Sequence, residues 1–314
     1  MKIAVTCIQL IRDIEHFRPA LEQAGFEISL PDFEGQYLEG SALVEAIAGC
    51  VGVVAGDDQY TASVLDACPE LRIISKWGIG VDGIDKPAAA QRNVAVTNTP
   101  GAFDGEVADV TMGYITMLYR ELHRIDASIQ AGGWYKPAGK SLGASTVGVI
   151  GLGGIGRAVV RRALAAEMRV VGSDPSPESQ AAAVVDGATI VSFEELMATS
   201  DVISVNCPLT PQTRHLIDDA SLALVKPGSY LVNTGRGDVV DTAALARALD
   251  SEILRSVAVD VLEEEPASPT NPLRGRDNVV FGSHNASNTL EASARVHVRA
   301  IQNLADHLNV TIQL

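Results

Sequence analysis

Residues 146–174 read "TVGVIGLGGIGRAVVRRALAAEMRVVGSD". Gly151, Gly153 and Gly156 fall in the spacing G-x-G-x-x-G, a pattern that means little by itself. Here an apolar strand precedes it, a helix opens on it, and a second strand ends in Asp174, 18 residues after Gly156. These four elements together make a dinucleotide-binding fingerprint. Gly151 permits the tight turn, Gly153 lets the backbone approach a pyrophosphate, and Gly156 lets helix and strand pack closely. The amides near Gly154 and Ile155, aided by the helix dipole, are placed to hold the phosphates. Asp174 is expected to accept hydrogen bonds from the adenosine ribose hydroxyls and to repel a 2′-phosphate. No arginine follows it in "DPSPESQ", which favours NAD over NADP. A glycine-rich turn that binds nothing is the competing reading, and the coincidence of all four elements weighs against it.

The flanking sequence decides what kind of protein carries this motif. From residue 146 onward β-branched runs recur: "TVGVIG", "RVVGSD", "TIVS", "DVISVNC", "SYLVNTG", "SVAVDV" and "NVVFGS", with helical stretches between them. The first third repeats the rhythm in "KIAVTC", "GVVAG", "RIISKW" and "VAVTNT". Strands alternating with helices call for parallel sheets joined by right-handed crossovers. About 145 residues precede the motif, so its domain is read as an insertion. The expected fold is α/β with two doubly wound parallel-sheet domains. A Rossmann NAD-binding domain over 99–286 is inserted into a discontinuous, flavodoxin-like substrate domain made of 1–98 and 287–314. The stretch 100–132 carries apolar positions at helical spacing for about 30 residues. It reads as one long helix linking the domains, with Met112, Tyr114, Ile115 and Leu118 in the core and apolar surface to spare for a homodimer interface.

In parallel α/β sheets ligands bind beyond the carboxyl ends of the strands. Those ends carry Asp174, Cys207-Pro208, Thr234-Gly235-Arg236, Asp260 and His284. Glycines flank Arg236, so its backbone can approach a ligand closely, and a guanidinium pairs bidentately with a carboxylate. Glu263, Glu264 and Glu265 follow a strand and precede Pro266. Two of the three are read as a solvated run, and one as a partner that favours the charged form of an imidazole. His284 ends the next strand. Of the other histidines, His123, His297 and His307 sit in helical patterns, and His215 reads as structural.

Composition narrows the partners. A formal net charge of −15 repels nucleic acid and anionic lipid, so an anionic ligand needs a local cationic spot. Neither nucleic acid nor membrane is an expected partner. No apolar run reaches a membrane span, and "MKIAVTCIQLIRD" is too soon charged for a signal peptide. The four cysteines lack a C-x-x-C spacing, so neither a zinc site nor a disulfide framework is expected. The reading is a cytoplasmic protein.

Order and spacing of "SKWGIGVDGID", "NTPG", "GLGGIG", "PLTPQTRHLI", "NTGRGDVV", "VDVLEEEP" and the His284 segment resemble the D-isomer-specific 2-hydroxyacid dehydrogenases across nearly the whole chain. Phosphoglycerate dehydrogenase is among the similar members. The resemblance implies NAD-dependent hydride transfer at C2 of a small D-2-hydroxy or 2-oxo acid. Arg236 would bind the carboxylate and polarise the 2-oxo group, and Glu265 would pair with His284, the proton carrier. Asp260 would sit near the nicotinamide, with Cys207, Pro208, Thr234 and Gly235 on the cofactor side. Lys76, Gly78, Ile79, Gly80 and Asn98 are placed with the substrate, the glycine-rich turn cradling its carboxylate. Gly56-Asp57-Asp58 departs from the arginine that phosphoglycerate dehydrogenases tend to carry there, and would repel a phosphate. Asn285 stands where an apolar residue is commoner. The alternatives are a glyoxylate or hydroxypyruvate reductase and an NADH-sensing binding scaffold.

Overall fold

A computed structural model describes every residue except 34 and 36. The chain divides into two compact units, Met1–Ala102 with Thr289–Leu314, and Phe103–Asn288.

The first unit holds five parallel strands, β1 (Lys2–Val5), β2 (Glu27–Ser29), β3 (Gly52–Ala55), β4 (Ile73–Lys76) and β5 (Ala95–Thr97). Their order is β2-β1-β3-β4-β5, the flavodoxin-like arrangement. Every residue of β3 and β4 is buried, as expected for a sheet covered on both faces. The final helix, Leu290–His307, lays Val296, Ala300, Ile301 and Leu304 on that sheet, all without solvent exposure. Ser75 of β4 donates its hydroxyl to the carbonyl of Ala300 at 2.7 Å. The unit is discontinuous because the last helix completes a core begun by the first residues.

The second unit holds β6 (Thr146–Ile150), β7 (Arg169–Ser173), β8 (Thr189–Ile190), β9 (Val202–Val205), β10 (Ser229–Asn233), β11 (Leu254–Val259) and β12 (Val279–Phe281). All pair in parallel, in the order β12-β11-β10-β9-β6-β7-β8. The chain moves outward from β6 in one direction through β7 and β8, then returns to β6's other side at β9. This is the topological switch point of a Rossmann sheet, and β6 is the strand that feeds the glycine turn.

The long helix read over 100–132 is two helices, Asp104–Arg120 and Leu122–Gln130. Glu121 breaks it by adopting a left-handed conformation, φ 51°. Its side chain is buried and takes hydrogen bonds from Arg255 (2.9 Å), Arg124 (2.8 Å) and Tyr135 (2.8 Å). Burial by itself would raise this carboxyl, but the three donors together hold it below the usual range. Helical periodicity cannot report such a break, because one of the partners that hold the buried carboxylate, Arg255, comes from distant sequence. Ile115 and Leu118 are fully buried, and Met112 and Tyr114 pack against the same core, as expected.

His297 of the last helix is a buried member of a chain of hydrogen bonds. Trp77 donates its indole N–H to His297 Nδ1 at 2.9 Å, and His297 Nε2 lies 3.0 Å from Asp13 Oδ2. The indole can only donate, so the ring proton sits on Nε2 and points at Asp13. Burial lowers this histidine below its ordinary value of 6.5, and Asp13 opposes the shift. The unfolded chain therefore binds the proton first, and stability falls as pH drops below about 6.5 until the folded histidine itself titrates. Chemical denaturation of wild type and His297→Gln between pH 7.5 and 5 checks this. The wild type is expected to lose stability over that interval at up to about 1.4 kcal/mol per pH unit, and the variant to lose less.

Candidate active site

The glycine turn has the geometry a dinucleotide requires. Gly151 sits at φ 87°, and a Cβ there would lie 2.7 Å from the amide nitrogen of Cys207. A Cβ on Gly156 would lie 1.9 Å from the Gly151 carbonyl oxygen, whereas one on Gly153 would meet nothing within 4 Å. Two of the three glycines thus serve close packing, and the middle one leaves open space beside the first turn of the helix Gly154–Ala165. Asp174, just past β7, takes the Leu152 amide on Oδ2 at 2.7 Å and the Ser176 amide on Oδ1 at 2.8 Å. Those bonds fix the carboxylate beside the turn and leave each oxygen a further lone pair for a hydroxyl donor. The residues present fit NAD.

The ends of β9 and β10 lie beside this turn. Cys207 is buried, and burial pushes its thiol up to about 11, so it is an uncharged wall there and no thiolate nucleophile. A Cβ on Gly235 would touch the Cys207 carbonyl at 3.0 Å. Thr234 bonds Thr111 of the helix Asp104–Arg120 at 2.9 Å. Asn233 closes the strand end, accepting from the Gly235 amide and donating to the Arg236 carbonyl, each at 3.0 Å. Arg236 is thereby held at the backbone on both sides.

The Arg236 segment and the acidic loop are in direct contact. A Cβ on Gly237 would fall 1.9 Å from the Leu262 carbonyl carbon, so only glycine allows the two backbones so close. Within the loop Glu265 Oε1 accepts the Leu262 amide at 2.8 Å, and Oε2 lies 2.7 Å from His284 Nδ1. Of the three acids, Glu265 is therefore the one that meets the histidine. Glu263 is not merely solvated. It lies 2.7 Å from His215 Nε2 and accepts the Thr242 amide, at the start of the helix Thr242–Asp250, at 2.8 Å. His215, read as structural, braces the loop from outside. With Asp238 the pair forms a cluster whose ligand atoms lie within 4.8 Å of one another. Arg214 on Asp238 and the helix amide on Glu263 already satisfy it, so we read it as a brace.

His284 adopts φ 55°, a conformation that costs a non-glycine residue energy. Asp260 holds it there. The Asp260 carbonyl accepts the His284 amide at 2.7 Å, its Oδ2 accepts the Ala286 amide at 2.9 Å, and Tyr114 donates to Oδ1 at 3.1 Å. Burial and the Asp260 charge raise Tyr114, so it stays a neutral donor. A Cβ on Gly282 would lie 2.0 Å from Asp260 Oδ1, which explains the glycine between strand and histidine. Tyr114 was legible only as a core position. Its hydroxyl reaches Asp260, just past β11, across 146 residues of sequence, a distance no local pattern spans.

On the first unit, Gly78 sits at φ 125° in the turn after β4. Asn98 donates to the Ile79 carbonyl at 2.7 Å and the Thr99 amide to that of Gly78 at 2.9 Å, so the turn around Gly78, Ile79 and Gly80 is pinned from β5. Lys76 is buried and donates to Asp57 Oδ1 at 2.8 Å and to the Trp77 carbonyl at 3.2 Å. The expectation that Asp57 and Asp58 act together needs correction. Asp58 turns inward to the hydroxyl of Thr6 and the amides of Leu38 and Gly56, and burial raises it, so only Asp57 presents charge outward.

Residues 112–286 match the family model for the NAD-binding domain of D-isomer-specific 2-hydroxyacid dehydrogenases. A hydroxypyruvate reductase of Thermotoga maritima is 36% identical over 283 residues, 88% of this chain and 90% of the relative. A D-3-phosphoglycerate dehydrogenase of Archaeoglobus fulgidus is 39% identical over 78% of this chain but only 46% of its own length. The D-lactate dehydrogenase of Aquifex aeolicus, solved with NAD and lactic acid, superposes with a TM-score of 0.86 at 25% identity, covering 98% of this chain and 96% of that one.

Replacing Asp174 by Ala is expected to weaken NADH binding by about tenfold, the loss of one charge-assisted contact. It should also narrow the preference for NADH over NADPH. Fluorescence titration with both dinucleotides measures both effects, and unchanged affinity for each would remove Asp174 from the site.

Proposed function

Because this chain belongs to the D-isomer-specific 2-hydroxyacid dehydrogenases and is an NAD-dependent oxidoreductase, we propose that Arg236, Glu265 and His284 are its catalytic residues. The observation that carries the proposal is the 2.7 Å contact between Glu265 Oε2 and His284 Nδ1. With Nδ1 committed to the carboxylate, Nε2 is the nitrogen that exchanges a proton with substrate. Glu265 fixes the ring and stabilises the imidazolium. In the reducing direction His284 gives its proton to the 2-oxo oxygen, and in the oxidising direction it takes the proton of the 2-hydroxyl. The guanidinium of Arg236 pairs with the substrate carboxylate and draws charge from the 2-oxo group. The nicotinamide, when bound, supplies or accepts the hydride at C2. Asp260 and Tyr114 hold the histidine turn, and Asn233 holds the arginine.

The roles of the two units follow the same reading: Phe103–Asn288 for cofactor and proton transfer, the other unit for substrate. Its turn at Gly78–Gly80 offers backbone amides that suit a carboxylate. The buried Lys76 already carries Asp57 as its counter-charge, which leaves that spot poorly matched to a phosphate. The reading favoured is thus an unphosphorylated 2-oxo acid of the glyoxylate or hydroxypyruvate type. A homodimer is part of the proposal, built on the exposed apolar side chains Leu122, Ile129 and Trp134 that follow Glu121. So is a cytoplasmic location, in keeping with four unpaired, buried cysteines. No described helix is long and apolar enough to cross a membrane.

His284→Ala is expected to lower kcat by at least about a hundredfold while NADH affinity stays within about threefold of wild type. Stopped-flow turnover with parallel fluorescence titration decides it, and full turnover in the variant removes His284 from the chemistry. For the substrate, kcat/KM with NADH should be higher for hydroxypyruvate than for phosphohydroxypyruvate. The reverse order would show that Lys76 does serve a phosphate.

A further inference from the structure

Asp104 is a half-buried acid that the reaction does not use, and it lies against the glycine turn. It opens the helix Asp104–Arg120. A Cβ built on Gly154 would fall 2.0 Å from Asp104 Oδ2 and 2.7 Å from Oδ1, so the carboxylate lies directly over the Cα of Gly154. Gly154 is the first residue of the helix Gly154–Ala165, which no side chain caps and whose first turn holds no acid of its own. Neither oxygen of Asp104 has a hydrogen-bond partner among the described residues. The carboxylate thus stands at the one helix end whose free amides and dipole are expected to hold the cofactor pyrophosphate.

The charges facing Asp104 do not remove the conflict. Glu106, on its own helix, adds negative charge; Arg157 and Arg161, from the helix packed against it, add positive. Both arginines already serve Asp186, at 2.6 and 3.0 Å. Burial outweighs them, and the carboxyl is raised above its ordinary value. A pyrophosphate brought to the same helix end raises it further, because two anions in one place each disfavour the other's charge.

We propose that Asp104 sets the hold on the dinucleotide: its carboxylate opposes the pyrophosphate at the turn Gly151–Gly156, so that NADH binds with uptake of a proton and more tightly as pH falls. The proposal rests on the reading of this turn as the cofactor site. A weakened hold favours release of the spent cofactor, and release steps limit turnover in many enzymes. Asp104 is in this sense a positioning and affinity residue, and no catalytic step passes through it.

The test is direct binding, independent of turnover. NADH affinity of wild type, Asp104→Asn and Asp104→Ala is measured by fluorescence titration from pH 6 to 8.5, with thermal unfolding to verify that each variant is folded. Adenosine, which has no pyrophosphate, and ADP-ribose, which has one, are titrated alongside by calorimetry. At pH 8 both variants should bind NADH and ADP-ribose on the order of fivefold tighter than wild type, the weight of one partly screened like-charge contact. Adenosine should bind equally to all three. The wild type should tighten toward pH 6 and the variants much less. Unchanged affinity and pH slope in the variants, or weaker binding, overturns the inference, weaker binding marking Asp104 as a ligand of the cofactor. Asp174→Ala separates the two levels: if it binds NADH like wild type, the turn is not the site and the underlying reading fails. If it binds weakly while the Asp104 variants match wild type, only the present inference fails.

Discussion

The backbone groups in the middle of a parallel sheet are all used by neighbouring strands, and helices cover both faces. Polar chemistry can therefore emerge only where strands end. In the second unit β9, β10 and β11 consist almost wholly of buried residues, and each passes within a few positions to Cys207, Arg236 and Asp260. The candidate site is the set of places where the sheet releases the chain. Close backbone approach then does the assembling. Gly151 against Cys207, Gly235 against the Cys207 carbonyl, Gly237 against Leu262 and Gly282 against Asp260 are all contacts that a side chain would prevent. Four glycines at strand ends bring the strand ends together.

Much of this was legible in sequence. The spacing of Gly151, Gly153 and Gly156 with Asp174 specifies strand, turn and helix at once, and the structure has all of them. The strand-end residues were found because parallel β/α alternation tells a reader where strands stop. What escaped has one physical character: a polar side chain whose partner is remote in sequence. Glu121 looks like any helical glutamate until Arg255 is seen beside it. Glu263 looks like surface charge until His215 and the Thr242 amide are placed on its two oxygens. Asp58 belongs by sequence to an acidic pair, yet three donors from separate elements turn it inward. Period and propensity describe how a segment lies on its neighbours; they carry nothing about which charge waits on the other side.

Asp260 carries contacts that the family resemblance does not describe. The family resemblance implies a place near the nicotinamide. In the structure both carboxylate oxygens are taken by the protein, one by Tyr114 and one by the amide of Ala286, and its carbonyl takes the amide of His284. A buried carboxylate costs several kcal/mol unless its hydrogen bonds are supplied. Here two partners supply them, Tyr114 and the Ala286 amide, while the backbone carbonyl of the same residue holds the His284 amide and with it the left-handed conformation of the histidine. Glu265 then sets the ring's direction, and His215 with Glu263 sets the loop that carries Glu265. The His284 imidazole is thus positioned by a nested series of carboxylates, only one of which faces it.

A chain with a net charge of −15 that must receive an anionic cofactor and an anionic substrate has to place its few favourable charges with care. On the proposed reading the phosphates meet amides at a helix end and the substrate carboxylate meets one guanidinium, while Lys76 is matched by Asp57. Dipoles and a single fixed arginine attract a ligand over short range only, and the surrounding negative field opposes its approach at long range. A carboxylate set over Gly154 fits that balance, since it adds opposition at the point where the cofactor's charge is densest.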